Sequence, residues 1–224
     1  MKQALKHADH RPTRGQAAPR MHRGARRKLE TRGKLIRAAQ QVMAQKGIDA
    51  ASIQDITETA DVGFGSFYNH FDSKEAIVEA ILKETLDSFG DSLDRLAAGI
   101  ADPAEVLSAS VRHVVRRAMA DHTWGGFVVR CGPSVSLFRI GLVRRLTRDI
   151  GRGVQAGRFD VEDLDCTVLA VSGTVLAVIS SLLNNQLAND APERAAAVAL
   201  RLMGLSWKEA KKVAGRPLLD IAWA

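Results

Sequence analysis

Residues 52–74 read SIQDITETADVGFGSFYNHFDSK and predict two short helices joined by a tight turn. Ser52 is a favourable N-cap for the first helix, and Asp55 follows at the spacing of a capping box. Apolar residues then recur at helical spacing and leave a polar opposite face. The small and apolar residues ADVG at 60–63 suit the turn that follows. The pattern is that of a helix-turn-helix.

The second helix begins with GFGS at 63–66 and therefore carries little side-chain bulk near its backbone. A helix start of this kind can press its free N–H groups against a phosphate or a base edge. We expect Tyr68, His70 and Lys74 on phosphates, with Ser66 and Phe64 nearest the bases, because such side chains suit contacts in the major groove. The residues predicted to contact DNA are Ser52, Gly63, Phe64, Gly65, Ser66, Tyr68, Asn69, His70 and Lys74. An ordinary surface helix is the alternative interpretation.

Residues 27–85 resemble the N-terminal domain of TetR-type transcriptional regulators. The matching positions are Thr31-Arg32, Leu35-Ile36, Ala38-Ala39, Lys46-Gly47, Ile53, Ile56, Ala60-Asp61-Val62, Gly65-Ser66-Phe67-Tyr68, Phe71 and Lys74-Glu75. The resemblance implies an all-α homodimer in which a small DNA-binding domain joins a larger helical domain that binds a small molecule. Two residues depart from the family. Phe64 stands where the family often has a lysine or another polar residue, and Gly63 stands where a serine or threonine is common.

The net charge of +7 is concentrated at one end of the 224-residue chain. Residues 1–37 contain twelve Lys or Arg and two acidic residues, whereas the remaining 187 residues have a net charge of −3. Such an asymmetric basic segment is typical of proteins that bind polyanions. The two cysteines, Cys131 and Cys166, have no metal-ligand spacing and suit a reducing cytoplasm. Together with the resemblance, which implies a bacterial DNA-binding protein, these features lead us to expect a cytoplasmic protein associated with the nucleoid.

Residues 1–26 have no apolar period and contain several helix-breaking residues, so they are predicted to be a disordered basic arm. Three interpretations stay open at this point. The arm lies along DNA or in its minor groove, as homeodomain arms do; it is a solvated tail without function; or it is a transit peptide, which its arginine-rich composition permits.

The predicted domains are the arm at 1–26, a DNA-binding domain at 27–85 with its helix-turn-helix at 52–71, and a ligand-binding and dimerisation domain at 86–224. A long helix beginning at Asp72 is expected to connect the last two, because apolar residues recur at helical spacing as far as Leu96. It can carry movement from one domain to the other.

Residues 166–189 carry no charge, so a membrane span has to be considered. Their many Ser, Thr and Asn side chains disfavour a span, and we expect a central helix buried on all sides. The next long helix, within 190–205, is rich in alanine. These two helices are the expected dimer interface, a four-helix bundle across a two-fold axis. The interface residues predicted are Gly173, Ala177, Ser181, Ala195, Ala199 and Leu202.

A ligand cavity is predicted where apolar residues alternate with a few polar anchors, which is the usual lining of such sites. The residues are His113, Arg117, Trp124, Phe127, Arg130 and Phe138. The alternative interpretation is a set of core aromatics beside solvated arginines.

Serine nucleophile, zinc-protease and phosphate-cradling glycine motifs are absent from the sequence, so no enzyme, metal site or cofactor is expected. The favoured function is a sequence-specific, dimeric DNA-binding regulator, usually a repressor in the resembled family. Its partners are expected to be double-stranded operator DNA, a second copy of itself and an unknown small-molecule effector. The alternatives are an architectural DNA-binding protein without ligand control and a helical hydrolase or carrier of small molecules.

Overall fold

The computed structural model describes residues 23–131 and 141–221, and these residues form helices with no strand among them. In chain order the helices are α1 (Arg23–Lys46), α2 (Ile53–Thr59), α3 (Phe64–Tyr68), α4 (Lys74–Ile81), α5 (Ser88–Ala97), α6 (Pro103–Ala120), α7 (His122–Cys131), α8 (Leu142–Gln155), α9 (Leu164–Leu183), α10 (Ala191–Leu202) and α11 (Trp207–Ala214). The predicted all-α fold is therefore confirmed. Most of the basic arm lies outside the described residues.

The two turns of the N-terminal region follow from local sequence. Gly47 ends α1 with a φ of 84°, and its N–H donates to the carbonyl of Met43 at 2.9 Å. Asp61 takes the left-handed conformation, with a φ of 53°, between α2 and α3. Glycine and aspartate tolerate this conformation better than most residues. The turn predicted at residues 60–63 is confirmed.

One apolar core holds α1 to α4 together. Its fully buried large side chains are Leu35, Met43, Ile56, Phe67, Ile77 and Ile81. The rings of Phe67 and Phe71 lie 5.7 Å apart, so α3 is anchored by one face only. The other face of α3 stays in solvent.

The connection predicted as one long helix runs through α4, a π-helical turn (Leu82–Asp87) and α5 without leaving helical geometry. π-helical turns inside α-helices are uncommon and often occur at functional positions. The predicted domain boundary between residues 85 and 86 falls inside this turn and stays a prediction.

An ion-pair cluster on α8 fastens this connecting helix to the C-terminal region. Arg145 donates from Nε to Asp94 at 2.9 Å, from Nη1 to Asp87 at 3.2 Å and from Nη2 to Asp91 at 2.6 Å. The guanidinium lies over Gly90, where an added Cβ would stand 2.5 Å from Cζ. We call these five residues the arginine clamp.

Helix α7 lies close to both α6 and α1. A Cβ added at Gly125 would be 3.0 Å from the Cβ of Ala118 on α6, and one added at Gly126 would be 3.4 Å from the Cβ of Ala44 on α1. The pair of glycines thus allows one helix to pack against both parts of the chain.

The prediction that α9 is buried on all sides is wrong for the single chain. Val168, Val171, Ser172 and Ile179 face inward, but Leu169 is 60% exposed. By length and composition α9 could cross a membrane, and most of its residues are not buried within the single chain. Apolar residues occur on all its faces, so sequence periodicity could not identify the face that other helices cover.

Two of the predicted interface residues on α10 are also corrected. Ala195 and Ala199 are buried within the chain, because the alanine-rich face of α10 packs against the interior. Leu202 is on the exposed side, together with Val198. The predicted residues of α9 stay accessible, with Gly173 and Ala177 exposed and Ser181 half-buried.

Candidate DNA-binding and effector sites

Helix α2 is positioned by the predicted capping box. The Ser52 hydroxyl accepts from the N–H of Asp55 at 3.0 Å, and the Asp55 carboxylate accepts from the N–H of Ser52 at 3.1 Å. Lys46 donates to the same carboxylate at 2.8 Å and, with Ser52, lowers the pKa of Asp55 to about 2. The end of α1 and the start of α2 are thereby tied together. Ser52 itself is exposed beside this contact.

Helix α3 presents its aromatic and small residues to solvent. Phe64 and Tyr68 are 53% and 51% exposed, Gly63, Gly65 and Asn69 are exposed, and Ser66 is half-buried. A Cβ added at Gly65 would meet nothing within 4 Å, and Gly65 does not have a positive φ. Packing within the chain therefore gives no reason for a glycine at this position.

His70 is partly turned toward α1. It is half-buried, and within the described residues its Nδ1 has no hydrogen-bond partner. Burial lowers the pKa of His70, as do the positive charges of Lys28 and Arg32. The lowered pKa favours the neutral form of this side chain in the free chain.

Lys74 has a structural contact that the sequence analysis missed. Its Nζ donates to the carbonyls of Ile48 at 2.9 Å and of Asp49 and Ala51 at 3.1 Å each. An ammonium group has three donors, so these bonds use all of them. The predicted phosphate contact of Lys74 would have to replace one of these bonds.

The C-terminal residues predicted to bind a ligand occupy different environments. Trp124 and Phe127 are fully buried on α7, and Trp124 packs edge-to-face on Phe89, with ring centroids 5.7 Å apart. Arg117 lies over the Trp124 ring, 5.9 Å from its centroid. Within the described residues the indole Nε1–H of Trp124 is buried without a hydrogen-bond partner.

The other predicted ligand residues do not join this group. Arg130 is exposed near the end of α7, so the structure does not place it in the wall of an enclosed cavity. Phe138 lies outside the described residues. His113 is buried on α6 and contacts the backbone of Leu219, in the segment that follows α11.

His113 predicts a pH dependence of stability. Burial lowers the pKa of His113 from 6.5 to about 4; the Leu219 backbone raises it, Arg116 and Arg112 lower it, and Asp220 raises it. Since the unfolded chain binds this proton below pH 6.5 and the folded chain does not, the free energy of unfolding should fall as the pH drops toward 4. A shift of this size corresponds to roughly 3 kcal/mol.

The His113→Gln variant is therefore expected to flatten the change in stability between pH 6.5 and 4, measured by urea denaturation at several pH values. Exposed His122 provides the matched control, and His122→Gln should keep the slope of the unmodified protein. Equal slopes for all three proteins would contradict the assignment.

Two family descriptions match the chain. "Bacterial regulatory proteins, tetR family" covers residues 35–81, and "Tetracyclin repressor-like, C-terminal domain" covers residues 102–216, which is just over half of the chain. The chain belongs to the TetR family.

Solved TetR-family structures agree with this assignment along most of the chain. The crystal structure of RolR in complex with the ligand resorcinol is 36% identical, with a TM-score of 0.69, and the match covers 88% of this chain and all of that one. FadR of Bacillus subtilis in complex with stearoyl-CoA has a TM-score of 0.64 at 21% identity, covers 76% of this chain and 97% of that one, and shows the shared fold alone.

Relatives by sequence match over shorter segments. The repressor KstR2 of Rhodococcus jostii is 36% identical over 93 residues, which are 41% of this chain and 45% of KstR2. The repressor DhaR of a Mycobacterium species is 39% identical over 72 residues, which are 32% of this chain and 34% of DhaR. The chain thus spans less than half the length of these two relatives.

TetR-family membership makes the chain a DNA-binding transcriptional regulator, and the family is regulatory, not enzymatic. In this family α2 and α3 form the helix-turn-helix, within the matched segment 35–81. Within residues 23–131 and 141–221 no cluster of His, Cys, Asp or Glu has the arrangement of a metal site.

Proposed function

We propose that the protein is a homodimeric repressor that binds a palindromic operator through α3 and releases it when a small hydroxylated aromatic compound binds. The observation that carries the DNA-binding part is the outward face of α3, where Gly65 is exposed beside Phe64 and Tyr68. Two such helices about 34 Å apart would read half-sites one helical turn apart. A cytoplasmic location follows from this role.

The proposed dimer surface combines α9 with the exposed side of α10. Leu169, Val198 and Leu202 are 60%, 37% and 39% exposed, and Gly173 and Ala177 lie on the accessible part of α9. Contiguous exposed apolar residues of this kind mark association surfaces. The small residues would let the helices of two copies approach closely.

The effector class is proposed from Trp124 and from RolR. A buried indole N–H without a partner is costly unless a ligand or an ordered water accepts its hydrogen bond. The surroundings of Trp124 are aromatic: Phe89 packs on its ring, and buried Phe127 follows three residues later on α7. A planar ring with a hydroxyl group satisfies both features, and resorcinol, the ligand in the RolR crystal structure, is such a compound.

Helix α7 is the proposed route from effector to DNA-binding region. Trp124 and Gly126 are two residues apart, and Gly126 abuts Ala44 of α1. A ligand that moves α7 would therefore shift α1 as well. In this proposal one arrangement of α7 and α1 binds operator better and the other binds effector better. The effector therefore lowers the affinity for operator, and operator lowers the affinity for effector, by the same factor.

The experiment uses Trp124 as its own probe. The chain has three tryptophans, so a Trp207→Phe/Trp223→Phe variant keeps Trp124 alone. Resorcinol should change the fluorescence of this variant and release it from an operator fragment, measured by fluorescence anisotropy. Resorcinol binding without release would contradict the repressor mechanism, and absence of both responses would contradict the effector class.

The Trp124→Phe variant is expected to bind resorcinol about tenfold more weakly, because it keeps an aromatic ring but loses the N–H donor. Calorimetry would measure the change. The matched control is Trp207→Phe, since Trp207 is 52% exposed on α11 and should not affect binding. Unchanged affinity of Trp124→Phe would exclude the proposed hydrogen bond.

A further inference from the structure

Phe64 is the large apolar side chain that α3 presents to solvent at its first residue. It is 53% exposed, and its ring packs edge-to-face on Tyr68, with centroids 5.8 Å apart. Tyr68 packs in the same way on fully buried Phe67, at 5.5 Å. The exposed ring is therefore held in place by a row of aromatic contacts that ends in the core.

The contact with Tyr68 fixes the Phe64 ring but does not explain why a large apolar side chain is exposed at this position. An exposed aromatic ring orders water unfavourably, and its burial elsewhere would stabilise the protein. Edge-to-face pairs add a modest favourable energy and fix the relative orientation of the rings. The result is a rigid apolar surface at the start of the DNA-reading helix, beside Gly65, which adds no side chain of its own.

A phenyl ring cannot donate or accept the hydrogen bonds by which polar side chains read bases or bind phosphates. On the edges of base pairs in the major groove, the apolar group is the C5-methyl of thymine. Tyr68, the neighbour of Phe64, has a hydroxyl that can bind a phosphate and so hold the ring pair against one strand.

We propose that Phe64 reads a thymine methyl at one position in each operator half-site, with Tyr68 as the residue that orients its ring. This inference rests on the proposed DNA-binding function and adds a specificity-determining residue to it. The chemistry recognised is a methyl group in the major groove, so replacing that thymine by deoxyuridine removes the contact and leaves base pairing intact.

The test begins with a duplex recovered by repeated selection from a random library with the full-length protein. Each thymine of its half-sites is then replaced in turn by deoxyuridine, and dissociation constants are measured by anisotropy at one fixed salt concentration. For the unmodified protein we expect one symmetric pair of positions at which uracil weakens binding, by about fourfold per half-site and about sixteenfold for the palindrome.

Two variants distinguish recognition of the methyl group by the Phe64 ring from phosphate binding by the Tyr68 hydroxyl. Phe64→Ala should bind the thymine and uracil duplexes equally, because the ring that senses the methyl is gone. Tyr68→Phe keeps the ring pair and loses the hydroxyl, so it should bind both duplexes more weakly but keep their ratio. Circular dichroism and thermal melting would establish that both variants are folded.

Two results would overturn the inference while leaving the DNA-binding function intact. One is an operator at which no thymine is sensitive to uracil; the other is a Phe64→Ala variant that keeps the full sensitivity of the unmodified protein. Failure of the selection to recover any preferred duplex would instead contradict the proposed function, so the two failures are distinguishable.

Discussion

Gly65→Ala is expected to weaken operator binding by about a hundredfold or more while leaving the protein folded. In the free chain the added methyl meets no atom within 4 Å, so packing does not oppose the substitution. Alanine is also the better helix former, by up to about 1 kcal/mol. On DNA the methyl would stand between α3 and the groove and push the helix outward. Lost contacts cost about 1–3 kcal/mol each, and a palindrome loses them twice.

Gly65→Ala is expected to leave stability unchanged or raised while it lowers operator affinity, so general damage to the fold cannot produce the expected result. Thermal melting should show a stability equal to or above that of the unmodified protein, and anisotropy with the selected operator should show the loss of affinity. Gly151→Ala on α8 is the matched control, because its Cβ would lie in ordinary contact with Leu164, at 3.9 Å. That variant should keep operator affinity. Normal binding by Gly65→Ala would mean that this part of α3 does not approach DNA closely.

Local signals predicted the N-terminal region well. The cap at Ser52 and the turn at residues 60–63 each depend on a few consecutive residues, and both are found in the structure. Helix ends and turns are decided mainly by such residues, because their backbone groups must be satisfied close by in the chain.

Contacts between distant residues were not predicted. Lys74 reaches carbonyls more than 20 residues earlier in the chain, and the partners of Arg145 lie more than 50 residues before it. The predicted interface role of Ala195 and Ala199 on α10 was also wrong, because a run of alanines does not tell packing within one chain from packing between two copies, and these alanines are buried in their own chain. Spacing did offer one signal: Asp87, Asp91 and Asp94 are on one face of a helix, where a nearby cation would relieve the repulsion between their charges.

The second large effect is expected at the arginine clamp. Arg145→Ala should destabilise the protein by about 3 kcal/mol, because it removes a largely buried cation from Asp87, Asp91 and Asp94 and leaves their like charges together. A loss of this size corresponds to a melting temperature lower by roughly 6–12 °C for a chain of this length. Scanning calorimetry at fixed protein concentration would measure it, since dimer stability depends on concentration. Exposed Arg144→Ala is the control and should melt normally.

The pH dependence identifies the origin of this loss. Burial alone would raise the pKa of Asp94, but hydrogen bonds from Arg148 and Arg145 lower it below its usual 3.8. A carboxylate with a lowered pKa contributes its stabilisation above the unfolded value and loses it as the pH falls further. The difference in free energy of unfolding between the two proteins should accordingly stay nearly constant from pH 7 to 4 and narrow below pH 4, where Asp94 is protonated and its ion pairs in the unmodified protein are lost.

Two further variants separate charge from position within the clamp. Asp91→Asn in the Arg145→Ala background should recover part of the stability, since it removes one of the repelling charges. Gly90→Ala retains every charge but places a Cβ 2.5 Å from the Arg145 Cζ, so it should displace the guanidinium and destabilise the protein as well. If Gly90→Ala melted normally and Arg145→Ala lost no stability, the clamp would not fasten α5 to α8. In that case movement of the effector region could reach α1 through α7 alone.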